Sequence, residues 1–108
     1  MRFDAPKKIF RLPKLKLAVI GHVEWVTFLN VDQLPIAGEI SHAKDCFEEA
    51  AGGAAVAAVQ MARLTNGTVD LITSLGNDNY GEKCYERLTK LGLNLQVAWR
   101  EKPTRKGI

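Results

Sequence analysis

The sequence is poor in the features that mark several common classes of protein. It has two cysteines, Cys46 and Cys84, too few and too far apart for a disulfide framework or for the closely spaced ligand pairs of a zinc site. No apolar run approaches the roughly 20 residues that cross a bilayer, so no membrane span is expected. The start, Met1 to Leu17, is basic but has neither a long apolar stretch nor a small-residue cleavage site, so a secretory leader is not expected and the cytoplasm is the expected location. No Gly-x-Gly-x-x-Gly follows the first strand and no Gly-Lys-Ser/Thr closes a phosphate loop, which disfavours nucleotide binding by those routes. His22 and His42 lack metal-ligand spacing with each other or with a cysteine, and no metal site is expected. The net charge of +3 is small, although Lys7, Lys8, Arg11, Lys14 and Lys16 crowd near the start. A nucleic-acid reader usually combines a larger basic face with exposed aromatics, so these residues read as a solvated arm and nucleic acid is not an expected partner.

What is present suits one packed domain. The 108 residues are 46% hydrophobic and 25% charged, enough apolar material for a single core under an ordinary soluble surface. Residues 1–14, with Pro6 and Pro13, show no clean periodicity and read as an N-terminal arm. Leu15 to Ile20 is nearly all apolar and stops at Gly21, the pattern of a central strand buried on both faces. The β-branched and aromatic residues after Gly21, ending in a turn signal at Pro35 to Gly38, predict one or two strands outside the main layer. Glu39 to Glu49 carries no decisive pattern.

Beyond two glycines, Ala54 to Leu64 is alanine-rich and strongly helix-forming, with Asn66-Gly67 expected to close it. Val69 to Thr73 predicts a strand, and Leu95 to Trp99 another. Between them Tyr80, Cys84, Leu88 and Leu91 recur at helical spacing, with Glu82, Lys83, Glu86, Arg87 and Lys90 on the other positions of an amphipathic surface helix. Asp78 or Asn79 can cap this helix and Gly92 can end it. Strands alternating with helices over short connections imply βαβ crossovers and a parallel, helix-covered sheet.

Three features could carry chemistry. Gly52-Gly53 stands before a helix, where free backbone N–H groups favour an anion or a sugar oxygen and no side chain blocks close approach. Glycines at such a joint also serve turn geometry alone. Gly76-Asn-Asp-Asn-Tyr-Gly81 reads as a structural turn in which Asp78 caps the helix. His22, Glu24 and Trp25 follow the first strand, and ligands of open parallel sheets bind beyond the carboxyl ends of strands. Glu24 could accept sugar hydroxyls and Trp25 could offer a flat face to a sugar ring, or both could pack in a loop.

The ordered landmarks from Gly21 to Gly92 resemble the amino-terminal part of the ribokinase-like (PfkB-family) carbohydrate kinases. They are Val31-Asp-Gln-Leu-Pro35 with Gly38-Glu39, then Gly52-Gly53 with a helix ending Ala62-Arg-Leu64. Ser74-Leu-Gly-Asn-Asp78 through Gly81 and Leu91-Gly-Leu93 follow. The resemblance implies an α/β fold: a ribokinase-like parallel sheet flanked by helices, with a small β lid drawn from about 26–47 and from 104–108. Residues 15–108 would form only the first part of that domain. It also implies transfer of the ATP γ-phosphate to a sugar hydroxyl, with ATP and Mg2+ serving the complete enzyme and none expected for this segment alone.

In the family the catalytic aspartate and glycine-rich anion hole lie in a Gly-Ala-Gly-Asp stretch far downstream. The catalytic residues are therefore expected beyond Ile108, and the segment alone is expected to be inactive. The residues expected to bind substrate are Glu24, Trp25, Gly52 and Gly53. The Asn and Asp that often hold sugar hydroxyls fall on Glu24 and Val26, and the Asn of the Gly-Gly helix falls on Val56 or Ala57, so a ribose-type clamp is partly missing. The alternative function is a non-catalytic α/β binding module. Exposed sheet edges predict self-association, with the lid strands as one route to a homodimer.

Overall fold

The structure is a computed structural model that describes residues 14–108; all of the expected arm but Lys14 lies outside them. Two three-stranded sheets and two helices make up the fold. In chain order the elements are β1 (Leu17–Ile20), β2 (Glu24–Asn30), β3 (Asp45–Ala51), α1 (Gly53–Leu64), β4 (Val69–Gly76), α2 (Asn79–Lys90), β5 (Asn94–Arg100) and β6 (Lys106–Gly107). The main sheet is parallel with strand order β1-β4-β5, and the second sheet has order β3-β2-β6. In the second sheet β2 and β3 pair antiparallel, Phe28 opposite Phe47, while β2 and β6 pair in parallel. The architecture is thus an α/β sheet with flanking helices plus a separate small β layer, inserted between β1 and α1 and completed by β6.

One face of the main sheet holds the core. Val69, Leu71 and Leu75 of β4 are fully buried and cluster with Ala55, Ala58 and Val59 of α1 and with Cys84 and Leu88 of α2. Alternation along β4 sends these side chains to the helices and Ile72 to the opposite face, where Ile72 is 39% exposed. α1 carries alanine where a bulkier residue would hold the helix away, so three of its four buried residues are Ala54, Ala55 and Ala58. α2 has the stronger amphipathic pattern, with Asp78 as N-cap and Leu91 as C-cap; Gly92 adopts φ +93° and ends it.

Several expectations change. The strand expected at the centre of the sheet is an edge strand among the described residues: β1 pairs only with β4, and Ile20 is 76% exposed. Both described helices pack on one face, so β4 takes the central position and β1 is covered on one side. Gly67 does not cap α1; Thr65 does, and a Cβ at Gly67 would fall on the backbone carbonyl of Leu15. Glycine there lets the α1–β4 turn pass close against the segment that leads into β1. The lid strands overrun the 26–47 range at both ends: β2 starts at Glu24, and β3 continues through Ala50 and Ala51 into the core before the chain turns into α1.

Candidate functional site

The carboxyl ends of β1 and β4 open into a cleft of about 270 Å³, bordered by Val23 and Arg105 just before the lid strands β2 and β6. Its floor is Gly21, His22, Thr73 and Ser74; Arg100, from the end of β5, and Arg105, just before β6, line its flanks. Crevices of this kind arise where parallel strands stop and the following loops splay apart.

Gly52 and Gly53 border the same region. Gly52 stands at φ +98°, a left-handed conformation that side chains resist. A Cβ there would lie 2.8 Å from the His22 carbonyl oxygen and 3.2 Å from Val23 Cα. The strand-to-helix joint is thus pressed against the loop leaving β1. No side chain caps α1, but the Gly53 N–H donates to His22 Nε2 at 3.4 Å, so His22 stands over the helix start.

Glu24 and Trp25 are neighbours in β2 and so point to opposite faces. Glu24 lies beside β6: a Cβ on Gly107 would be 3.9 Å from its Cδ. Because Trp25 pairs with Lys106, Arg105 stands one step back along that register, opposite Glu24. Trp25 instead lines a recess of about 140 Å³ with Thr27, Tyr80 and Lys106, where Lys83 Nζ lies 5.6 Å from its ring centroid. Trp25 therefore holds the lid against α2, away from Glu24, and the two expected sugar-binding side chains are separated.

Two polar clusters that fix the lid are not evident from sequence pattern. Thr104 is buried; its N–H donates to Asp78 Oδ2 and its hydroxyl to Asp78 Oδ1, both at 2.8 Å, while the Gly76 N–H donates to Thr104 Oγ1 at 2.9 Å. The Gly81 N–H also donates to Asp78. Asp78 is thus the expected cap and, in addition, the anchor of the segment leading to β6. Its bond from the Thr104 backbone, then that from Gly81, hold its carboxyl below the ordinary value of 3.8.

The second cluster is a fork: Arg87 Nε and Nη2 donate to the two oxygens of Glu49 at 2.8 and 2.9 Å. Glu49 is buried in β3, and Arg87 is half-buried instead of lying on the solvent face of α2. The fork raises the Arg87 pKa and ties lid to helix. A buried acid in a polar stretch with an arginine 38 residues away leaves no periodic signal.

Among the described residues no group of His, Cys, Asp and Glu could hold a metal ion. Buried Cys84 has its thiol pushed up to about 12, first by burial and then by Asp78 and Glu49, which removes it as a nucleophile.

The family model described as "pfkB family carbohydrate kinase" matches residues 14–108. No curated protein matches the chain. Among solved structures, the ribokinase of Giardia lamblia superposes with TM-score 0.74 at 18% identity, over 86% of this chain and 31% of that one. The nucleoside kinase of Methanocaldococcus jannaschii gives TM-score 0.59 at 26% identity, over 84% and 31%. The ribokinase of Cryptococcus neoformans var. grubii serotype A, in complex with ADP, gives 0.57 at 24%, over 84% and 29%. The chain spans less than a third of the length of each of these structures.

Proposed function

The chain belongs to the pfkB family of carbohydrate kinases, and on that premise we propose that it forms the acceptor side of a cytoplasmic enzyme that transfers the ATP γ-phosphate to a hydroxyl of a sugar or sugar-like compound. The observation that carries this reading is the cleft at the ends of β1 and β4, bordered by the segments that lead into the lid strands, in a chain the family model matches throughout its described length. Phosphoryl transfer depends chiefly on positioning and charge stabilisation, and the described residues offer positioning.

Gly52 and Gly53 would let an acceptor oxygen approach the α1 backbone, and Glu24 would accept hydrogen bonds from its hydroxyls. Trp25, Thr104 and the Glu49–Arg87 fork would hold the lid in place. The described residues do not fit Mg2+ or ATP, since they bring together no acidic cluster and no phosphate loop. The ADP complex of the Cryptococcus ribokinase supports a nucleotide as the phosphate donor.

The test is to read the coding sequence past Ile108 for a Gly-Ala-Gly-Asp stretch and to assay the protein containing it against a panel of sugars. ATP-dependent phosphorylation by that protein, absent from residues 1–108 alone, is the expected result. Turnover by the segment alone would overturn the placement of the catalytic base, and no turnover by the longer protein with any hydroxyl acceptor would overturn the kinase reading.

A further inference from the structure

We infer that His22 gates this site: its imidazole covers the Gly52-Gly53 joint and must swing out before an acceptor oxygen can bind the α1 backbone. The inference rests on the kinase reading and adds a control on the same site.

Three contacts put the ring on the joint. The Gly53 N–H donates to His22 Nε2. A Cβ on Gly52 would lie 3.1 Å from His22 Cδ2, and one on Gly53 would lie 3.6 Å from Cε1. The edge of the ring that carries Nε2 therefore spans both glycines. The space that two absent side chains leave for a ligand is taken by a side chain of the protein itself, from 31 residues upstream.

A backbone N–H has one proton to donate, so His22 and an acceptor oxygen compete for that of Gly53. The balance favours the oxygen. At 3.4 Å the bond to Nε2 is longer than the roughly 2.9 Å of a well-formed one. His22 is exposed, so its ring can leave toward solvent without opening the core. No other side chain caps α1, and the contact steadies the helix start until an acceptor replaces it.

A second observation points to a ligand independently. Thr73 lines the same cleft as His22 and is 7% exposed, and its hydroxyl has no hydrogen-bond partner. A buried hydroxyl left unmatched is costly, and an oxygen entering the cleft would satisfy it. Acceptor binding thus exchanges one partner at Gly53 and supplies one at Thr73.

The sign of one substitution separates a gate from a plain cap. Removing a cap loosens α1 and weakens binding, whereas removing a gate tightens it. The experiment measures binding of D-ribose, D-fructose and D-glucose by calorimetry to the longer protein assayed above and to its His22→Ala and His22→Gln variants. His22→Ala is expected to bind the tightest of the three sugars at least about fivefold more tightly, the gain from one hydrogen bond no longer displaced. His22→Gln, whose amide oxygen can still accept from Gly53, is expected to gain less. In the unsubstituted protein, labelled with 15N at glycine and histidine, that sugar is expected to shift both the Gly53 amide and the His22 Nε2 resonance, a readout that needs no variant to fold. Equal or weaker binding by His22→Ala, no binding of any of the three sugars by that variant, or sugar binding that leaves the Nε2 resonance in place would overturn the inference. Phosphate transfer by the longer protein without tighter binding by His22→Ala would remove the gate and keep the kinase reading. Tighter binding by His22→Ala without phosphate transfer would keep the gate and remove the kinase reading.

Discussion

Asp78 makes more hydrogen bonds than a helix cap requires: one oxygen serves Gly81 and the Thr104 hydroxyl, the other the Thr104 backbone. Asp78→Asn keeps an acceptor for the cap but presents an amide donor to the Thr104 N–H, whereas Asp78→Ala loses both. The expected loss is about 1 kcal/mol for the cap and about as much again for the Thr104 tie, read from urea midpoints, with Asn the milder change. The pH dependence follows from the depressed carboxyl. The folded state binds this proton more weakly than the unfolded chain, so the contribution is fully present above the ordinary value of 3.8 and is lost as pH falls below it through the folded pKa. Asp78→Ala should therefore flatten the acid limb of stability against pH; an unchanged limb would assign acid sensitivity to other groups. The cysteines offer a second test. Cys46 is exposed, while Cys84 is buried with its thiol near 12, so iodoacetamide should label Cys46 in the native state and Cys84 only in denaturant. Native labelling of Cys84 would mean that α2 opens locally.

At the scale of elements, Gly52 joins lid, core and cleft. Gly52→Ala puts a Cβ 2.8 Å from the His22 carbonyl oxygen on a backbone held at φ +98°. It should cost about 1–3 kcal/mol and weaken acceptor binding together with stability. Gly53→Ala meets only a His22 ring carbon at 3.6 Å and should be much milder. A reversed order would show that the joint relaxes. The Gly-Gly pair was legible in the sequence because glycine before an alanine-rich helix is a local signal, as were α2 and its cap. The Glu49–Arg87 fork and the Thr104 anchor were not, since each joins residues more than 25 positions apart, and the pattern that puts Arg87 on α2 and Asp78 at its cap carries no sign of the distant partner. Which of its two alternatives Trp25 takes was not legible for a related reason: a short strand fixes alternation but not which face meets α2.

For the molecule as a whole, the consequential feature is the face of the main sheet opposite the helices. Strand alternation was readable, but the expectation that β1 lies buried on both sides required cover that the described residues do not supply. Ile20 and Ile72 are register partners on that face, at 76% and 39% exposure, and the lid adds a stacked Phe28–Phe47 pair and exposed Leu29. Adjacent apolar groups on a regular sheet favour association, so the 108-residue chain is expected to sediment as dimers or larger species whose weight falls on dilution. The two surfaces can be separated by substitution. Ile20→Lys with Ile72→Lys should raise the monomer fraction if the open sheet face drives association, because each places a charge where the next copy would pack. Leu29→Lys should do so if the lid drives it. The sheet face has its apolar side chains aligned in register across two strands, so the isoleucine pair is expected to have the larger effect. A chain that stays monomeric at every concentration would mean that neither surface drives association.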